Sequence, residues 1–134
     1  MAELTEQQQR FIAENAYVAT ATTLRDDGSP HNTVVWIETE DGTVTFNTVV
    51  GRAKERHLRT DPRIAIAIVD PDDAYHWVSV TGRAKLTTDG ADDQIDRLAK
   101  KYLGEDTYPW RKSEEQRISV KITPERVDSY GFDE

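Results

Sequence analysis

The residues best equipped for chemistry in this chain lie in "NTVVGRAKERHLRTDPR" (47–63). Arg52, Lys54, Arg56, Arg59 and Arg63 stand there against only Glu55 and Asp61, although the whole chain of 134 residues carries a net charge of −8. If Gly51 opens a helix, the first-turn amides point outward at the positive end of the helix dipole. Arg52 and Lys54 sit in that first turn, where a cation is unfavourable unless an anion joins it. A phosphate would draw amides, guanidinium and ammonium together. Asn47 and Thr48, ending the preceding strand, add an amide and a hydroxyl. The same charge run is also what a solvated helix face looks like. Arg56 and Arg59, further along, are expected to face solvent or to pair with acidic neighbours.

A second constellation is aromatic. Tyr75 and Trp77 are two apart on a strand-like run and so share a face. Trp36 and Trp77 suit an interface or a flat ligand, and equally a barrel core. His31, directly after Pro30, reads from its surroundings as a turn histidine, and His57 as a structural residue of the basic helix.

These residues need a scaffold. "LTEQQQRFIAEN" (4–15) reads as a helix, with Thr5 and Gln8 forming a capping box and Phe11 and Ile12 an apolar edge. "YVATATTL" (17–24), "NTVVWIET" (32–39) and "TVTFN" (43–47) read as an antiparallel meander with turns at Asp27-Gly28 and Asp41-Gly42. "GRAKERHLRT" (51–60) is helical and ends at Asp61-Pro62. "RIAIAIVD" (63–70) is a strand with isoleucines on one face and alanines on the other, a face small enough for something to pack closely. "AYHWVSVTGRAKLT" (74–87) is a long strand with a bulge or corner at Gly82. "DDQIDRLAKKYLG" (92–104) is an amphipathic helix with Ile95, Leu98, Ala99 and Tyr102 in one stripe. The segment 104–116 holds Tyr108, Pro109 and Trp110, which either cover a pocket or pack on the barrel. "QRISVKIT" (116–123) and "RVDSYGF" (126–132) close the chain as strands.

The fold class expected is mainly β with minor α. It is a single domain, 1–134, built as a six- to seven-stranded antiparallel split β-barrel with a short mid-chain helix and a late amphipathic helix. Cysteine is absent and the three histidines have no paired-ligand spacing, so neither a disulfide nor a metal site is expected. The acidic balance argues against nucleic acid and anionic membrane as partners. With no apolar run of membrane-spanning length and a polar amino-terminal segment, a cytoplasmic protein is expected. No dinucleotide or P-loop fingerprint is present.

The series "TTLRDDGSPHNTVVW", a strand ending "FNT", "GRAKERHLRTDPRIAIAIVD" and "HWVSVTGRAKL" resembles the split β-barrel flavin- and deazaflavin-binding superfamily. That superfamily includes pyridoxamine 5′-phosphate oxidase and the actinobacterial reductases that use coenzyme F420. The resemblance spans about residues 10–130 and implies a homodimer with cofactor sites at the interface. It implies that Arg52 and Lys54, with Ala53 between them, hold the cofactor phosphate, bordered by Asn47 and Thr48. Thr33, Val34, Val35 and Trp36 would line the ring system, His31 would reach ring or substrate, and Tyr75 and Trp77 would arrive from the partner subunit. The Arg-, Trp- and Pro-rich ending of pyridoxamine phosphate oxidases is not matched by "RISVKITPERVDSYGFDE". The resemblance therefore points to an F420-dependent reductase acting on an unsaturated small organic acceptor. FMN as cofactor, or a non-catalytic carrier of F420, are the alternatives.

Overall fold

A computed structural model describes residues 2–132. Helix α1 (Glu6–Ala13) starts at the expected capping box. The Thr5 hydroxyl accepts from the Gln8 amide at 3.1 Å, and the Gln8 side chain accepts from the Thr5 amide at 2.9 Å. Then follow β1 (Ala19–Leu24), β2 (Pro30–Val35), β3 (Ile37–Glu40), β4 (Thr43–Val49), α2 (Ala53–Thr60), β5 (Arg63–Asp70), β6 (Asp73–Thr87), α3 (Ala91–Leu103) and β7 (Arg117–Tyr130). All seven strands form one antiparallel sheet in the order β2-β1-β5-β6-β7-β4-β3.

That order curls the sheet. β2 and β3 lie at opposite ends of it, yet only Trp36 separates them in the chain. Seven strands laid flat would put the two edges about 29 Å apart, whereas Val35 and Ile37 are at most about 7.6 Å apart along the backbone. The ends must meet at Trp36, which makes the split barrel. The expected single strand over 32–39 is therefore two strands. Both pairings of the expected meander occur, β1 with β2 and β3 with β4, but the split of its middle strand places the two hairpins at opposite ends of the sheet.

The two closing strands expected at 116–123 and 126–132 are one, β7, carried through Pro124. Proline is tolerated there because the β6–β7 register shifts at Thr81/Gly82, opposite it. Gly82 is required at that corner, since a Cβ would lie 2.0 Å from the Thr123 carbonyl oxygen. The hairpin turn at Asp41-Gly42 has positive φ at both residues (52° and 77°), the geometry a twisted two-residue turn demands.

The core is the inside of the curl. Ile64, Ile66 and Ile68 of β5, Val78 and Val80 of β6, Phe46 of β4, and Phe11 and Ile12 of α1 are all buried. The opposite, alanine face of β5 is left largely uncovered by the described residues: Ala67 and Val69 are exposed and Ala65 is half-buried. No helix among the described residues is long and apolar enough to cross a membrane.

Candidate functional site

A cavity of about 200 Å³ opens where β2, β4, α2, α3 and the start of β7 converge. Val34, Val35 and Trp36 form one wall. Asn47 and Thr48 at the end of β4, with Arg52 and Lys54 at the start of α2, form the polar floor. Ile95 and Leu98 of α3 close the back, and Tyr108, Trp110 and Arg117 complete the rim.

The floor is unsatisfied. Thr48 is 2% exposed and its Oγ1 has no hydrogen-bond partner among the described residues. Arg117 is 6% exposed, and its Nη2 is also without one. Its Nη1 donates to Asn47 Oδ1 at 3.4 Å, and its guanidinium lies 4.7 Å from the centre of the Tyr108 ring. Lys54 is half-buried, and burial, then the neighbouring charge of Arg52, holds its ammonium below the usual lysine range. Buried polar groups are ordinarily paired, so unused donors aimed into one cavity describe a place for an anion.

α2 begins two residues later than expected, at Ala53, with Arg52 at its N-cap and no side-chain cap hydrogen bond among the described residues. Gly51 lies before the helix at φ 94°, and its amide donates to the Glu55 carboxylate at 2.7 Å. Glu55 is 1% exposed and also accepts from Arg59, whose hydrogen bond, followed by the Gly51 amide, outweighs burial and keeps the carboxyl below its usual range. Arg56 donates to the Gly51 carbonyl. The rear of the basic segment is thus neutralised by the chain itself; at its front Arg52 pairs with Glu115 at 2.9 Å, and Lys54 has no ion pair among the described residues.

Seven of the residues singled out from the sequence meet in this cavity: Val34, Val35, Trp36, Asn47, Thr48, Arg52 and Lys54. The role of Asn47 differs from the expectation, because its amide nitrogen is engaged by Ala91 O and Gln94 Oε1, each at 2.9 Å. Asn47 holds Arg117 rather than offering a free donor. Thr33 Oγ1 is buried and unpartnered but does not line this cavity. His31 and Ala53 border a separate cavity of about 720 Å³, where the His31 and His57 rings meet edge-on at 5.1 Å. His57 is tied to Thr23 Oγ1 at 2.9 Å, as a structural histidine should be. Tyr75 and Trp77 are on β6 and do not line the cavity of their own chain; Tyr75 is 74% exposed.

Sequence reasoning did not assign Arg117, Tyr108, Trp110, Ile95 or Leu98 to the site. Tyr108 and Trp110 were open between cover and packing, and the fold brings both to the rim. Arg117 carries no local signal, since it looks like the polar first residue of a strand. Its burial comes from β4, with which Arg117 pairs at Val49.

The remaining wall has its own support. Trp36 stacks on Tyr102 at 5.3 Å with the rings 8° from parallel. The Tyr102 hydroxyl accepts from the Ile37 amide at 3.1 Å and donates to the Tyr17 carbonyl at 2.6 Å. The neighbouring Lys101 donates to the carbonyls of Ile12 at 2.7 Å and Ile37 at 2.8 Å. Backbone groups freed where the sheet ends meet are thereby paired.

The chain is 27% identical over 119 residues to an F420H2-dependent biliverdin reductase of Mycobacterium tuberculosis (strain CDC 1551 / Oshkosh), covering 87% of this chain and 81% of the relative. Among solved structures, an F420 reductase superposes with a TM-score of 0.78 at 20% identity, covering 89% of this chain and 94% of that one. A conserved hypothetical protein of M. tuberculosis does so with a TM-score of 0.76 at 23% identity, covering 97% and 88%. The pyridoxamine 5′-phosphate oxidase family model matches residues 4–131. With its seven antiparallel strands curled into a split barrel and that match over nearly its whole length, the chain belongs to the pyridoxamine 5′-phosphate oxidase family.

Proposed function

We propose that this protein is a reductase that uses coenzyme F420 to deliver hydride to an unsaturated small organic acceptor, the class to which the relative's biliverdin belongs. The observation that carries the reading is the set of unused donors in the cavity floor, Thr48 Oγ1 and Arg117 Nη2, beside the cations of Arg52 and Lys54. They fit the phosphate-bearing end of a deazaflavin. When bound, the reduced cofactor supplies the hydride.

The chain supplies position. Arg52, Lys54 and Arg117 bind the anionic end through charge-assisted hydrogen bonds. Val34, Val35 and Trp36 give a flat wall for a ring, and Tyr108 and Trp110 keep water from it. Holding two reactants in near-attack geometry can contribute about 7–11 kcal/mol. No side chain is assigned as proton donor, and His31 faces the other cavity.

The site is completed by a second copy of the chain. At about 200 Å³ the cavity is smaller than the roughly 300–1,000 Å³ of ordinary ligand pockets. Val34, which lines it, is 65% exposed. On the outer sheet face Val34 pairs through Thr20 with Ala67, a strip of small residues that fits a second copy. In that arrangement Tyr75 and Trp77 of one subunit close the cavity of the other.

FMN in the same place is the second reading, because the basic floor answers a phosphate on either ring system. Titrating the purified protein with F420 and with FMN, followed by ligand fluorescence polarisation, separates them. F420 is expected to bind at micromolar concentration or tighter, and FMN weakly. The reverse preference moves the protein to flavin chemistry, and no binding of either removes the cofactor reading. Sedimentation should show a dimer; a monomer that binds tightly contradicts the shared site.

A further inference from the structure

One carboxylate already reaches into the cation cluster. Glu115, at the end of the segment between α3 and β7, places Oε2 2.9 Å from Arg52 Nη2. Its other oxygen, Oε1, stands 3.8 Å from Arg117 Nη2, too far for a hydrogen bond. The Glu115 side chain is 17% exposed and that of Arg117 5%. A single acid therefore spans two guanidinium groups and satisfies one of them, while Thr48 Oγ1 remains unpaired and Lys54 has no hydrogen bond or ion pair among the described residues.

We infer that Glu115 is an internal stand-in for a phosphate group, displaced from Arg52 and Arg117 when a phosphate-bearing ligand enters. This rests on the cavity floor being the anion site proposed above. A phosphate carries more charge and more acceptor oxygens than a carboxylate, so it can take Arg117 Nη2 and Thr48 Oγ1, which Glu115 leaves unused. Glu115 cannot stay once it arrives, because two anions against the same guanidinium repel.

The exchange needs little motion. The rim is anchored to α3 by other contacts: the Tyr108 amide donates to Asp96 Oδ1 at 2.9 Å, and Arg111 pairs with Asp96 at 2.6 Å and Asp92 at 3.2 Å. Tyr108 and Trp110 can hold their places while the Glu115 side chain rotates away, between exposed Glu114 and Gln116. Glu115 then acts as a specificity residue. It sets a threshold that a ligand carboxylate, its own equal, does not pass and a phosphate does.

Inorganic phosphate is the direct probe, followed by tryptophan fluorescence, because Trp36 and Trp110 line the cavity. Glu115→Gln keeps the size and removes the charge, and is expected to bind phosphate about tenfold more tightly than the natural chain. Arg117→Met should lose that gain, and Arg117→Lys, which keeps the charge in the same buried place, should retain part of it. Equal or weaker phosphate binding in Glu115→Gln overturns the inference, as does phosphate binding in Arg117→Met that matches the natural chain. Absence of any phosphate response in all variants overturns it as well. F420 titrated in parallel distinguishes the two readings. If F420 fails to bind but the phosphate pattern holds, the cofactor assignment falls and the stand-in remains. If F420 binds and Lys54→Ala weakens it, yet Glu115→Gln changes neither ligand, the cofactor reading stands and the stand-in falls.

Discussion

Two half-buried lysines of this chain have opposite surroundings. Lys101 donates to the carbonyls of Ile12 and Ile37, and burial pushes its pKa down to about 8. Lys54, on the cavity side, is also lowered by burial but has no hydrogen bond or ion pair among the described residues. Burial of the charge is common to both, and the partners are not. Where the fold needs a buried cation it provides acceptors. Where it leaves one bare beside two other unused donors, the acceptor is expected from outside.

The sharpest way to break that contrast is to exchange the roles. Lys101→Met should strand the carbonyls of Ile12 and Ile37 and cost about 2–4 kcal/mol of stability, lowering the melting temperature by about 10 °C. A variant that melts like the natural protein would make Lys101 as dispensable to the fold as Lys54. Lys54→Ala should leave the melting temperature of the ligand-free protein where it is and weaken F420 binding by about 1.5–3 kcal/mol. Unchanged affinity would remove Lys54 from the site. Trp36→Ala touches both regions, since the ring stacks on Tyr102 and lines the cavity. It should lower stability and affinity together, with the lost stacking alone worth about 0.5–1.5 kcal/mol.

The smallest effect is in pH. The folded pKa of Lys101, about 8, lies below its unfolded value near 10.5, so between these pH values the unfolded chain binds more protons. Stability contributed through Lys101 therefore rises with pH across that window, and the rise should be missing from denaturation curves of Lys101→Met. Lys54 titrates in the opposite sense for binding. Affinity for an anion should fall as pH climbs through its lowered pKa, ahead of an ordinary lysine.

Much of the scaffold could be read from local chemistry. Thr5 and Gln8 announced α1, the stripe through Ile95 and Leu98 announced α3, and Gly82 marked a corner because only a residue without a side chain fits there. The failures were non-local. Nothing between Asn32 and Thr39 tells that Val35 belongs to one edge of the sheet and Ile37 to the other, since both are apolar and strand-forming. Pro124 looked like a boundary because the register shift that accommodates it lies some forty residues earlier, at Gly82. The cavity was legible where the basic segment supplied it, at Arg52 and Lys54. It was hidden where a distant strand did, at Arg117.

The separation of Tyr75 and Trp77 from the cavity of their own chain has a genetic consequence. If each site takes its floor from one subunit and its aromatic cover from the other, the two halves segregate as independent defects. A homodimer of Lys54→Ala and a homodimer of Trp77→Ala would each have two damaged sites. In a mixed dimer both lesions fall on the same site, and the other is assembled entirely from undamaged parts. Co-expressing two variants that bind poorly alone should therefore restore cofactor binding in up to half the sites of the mixed species, an intragenic complementation that no monomeric pocket can produce.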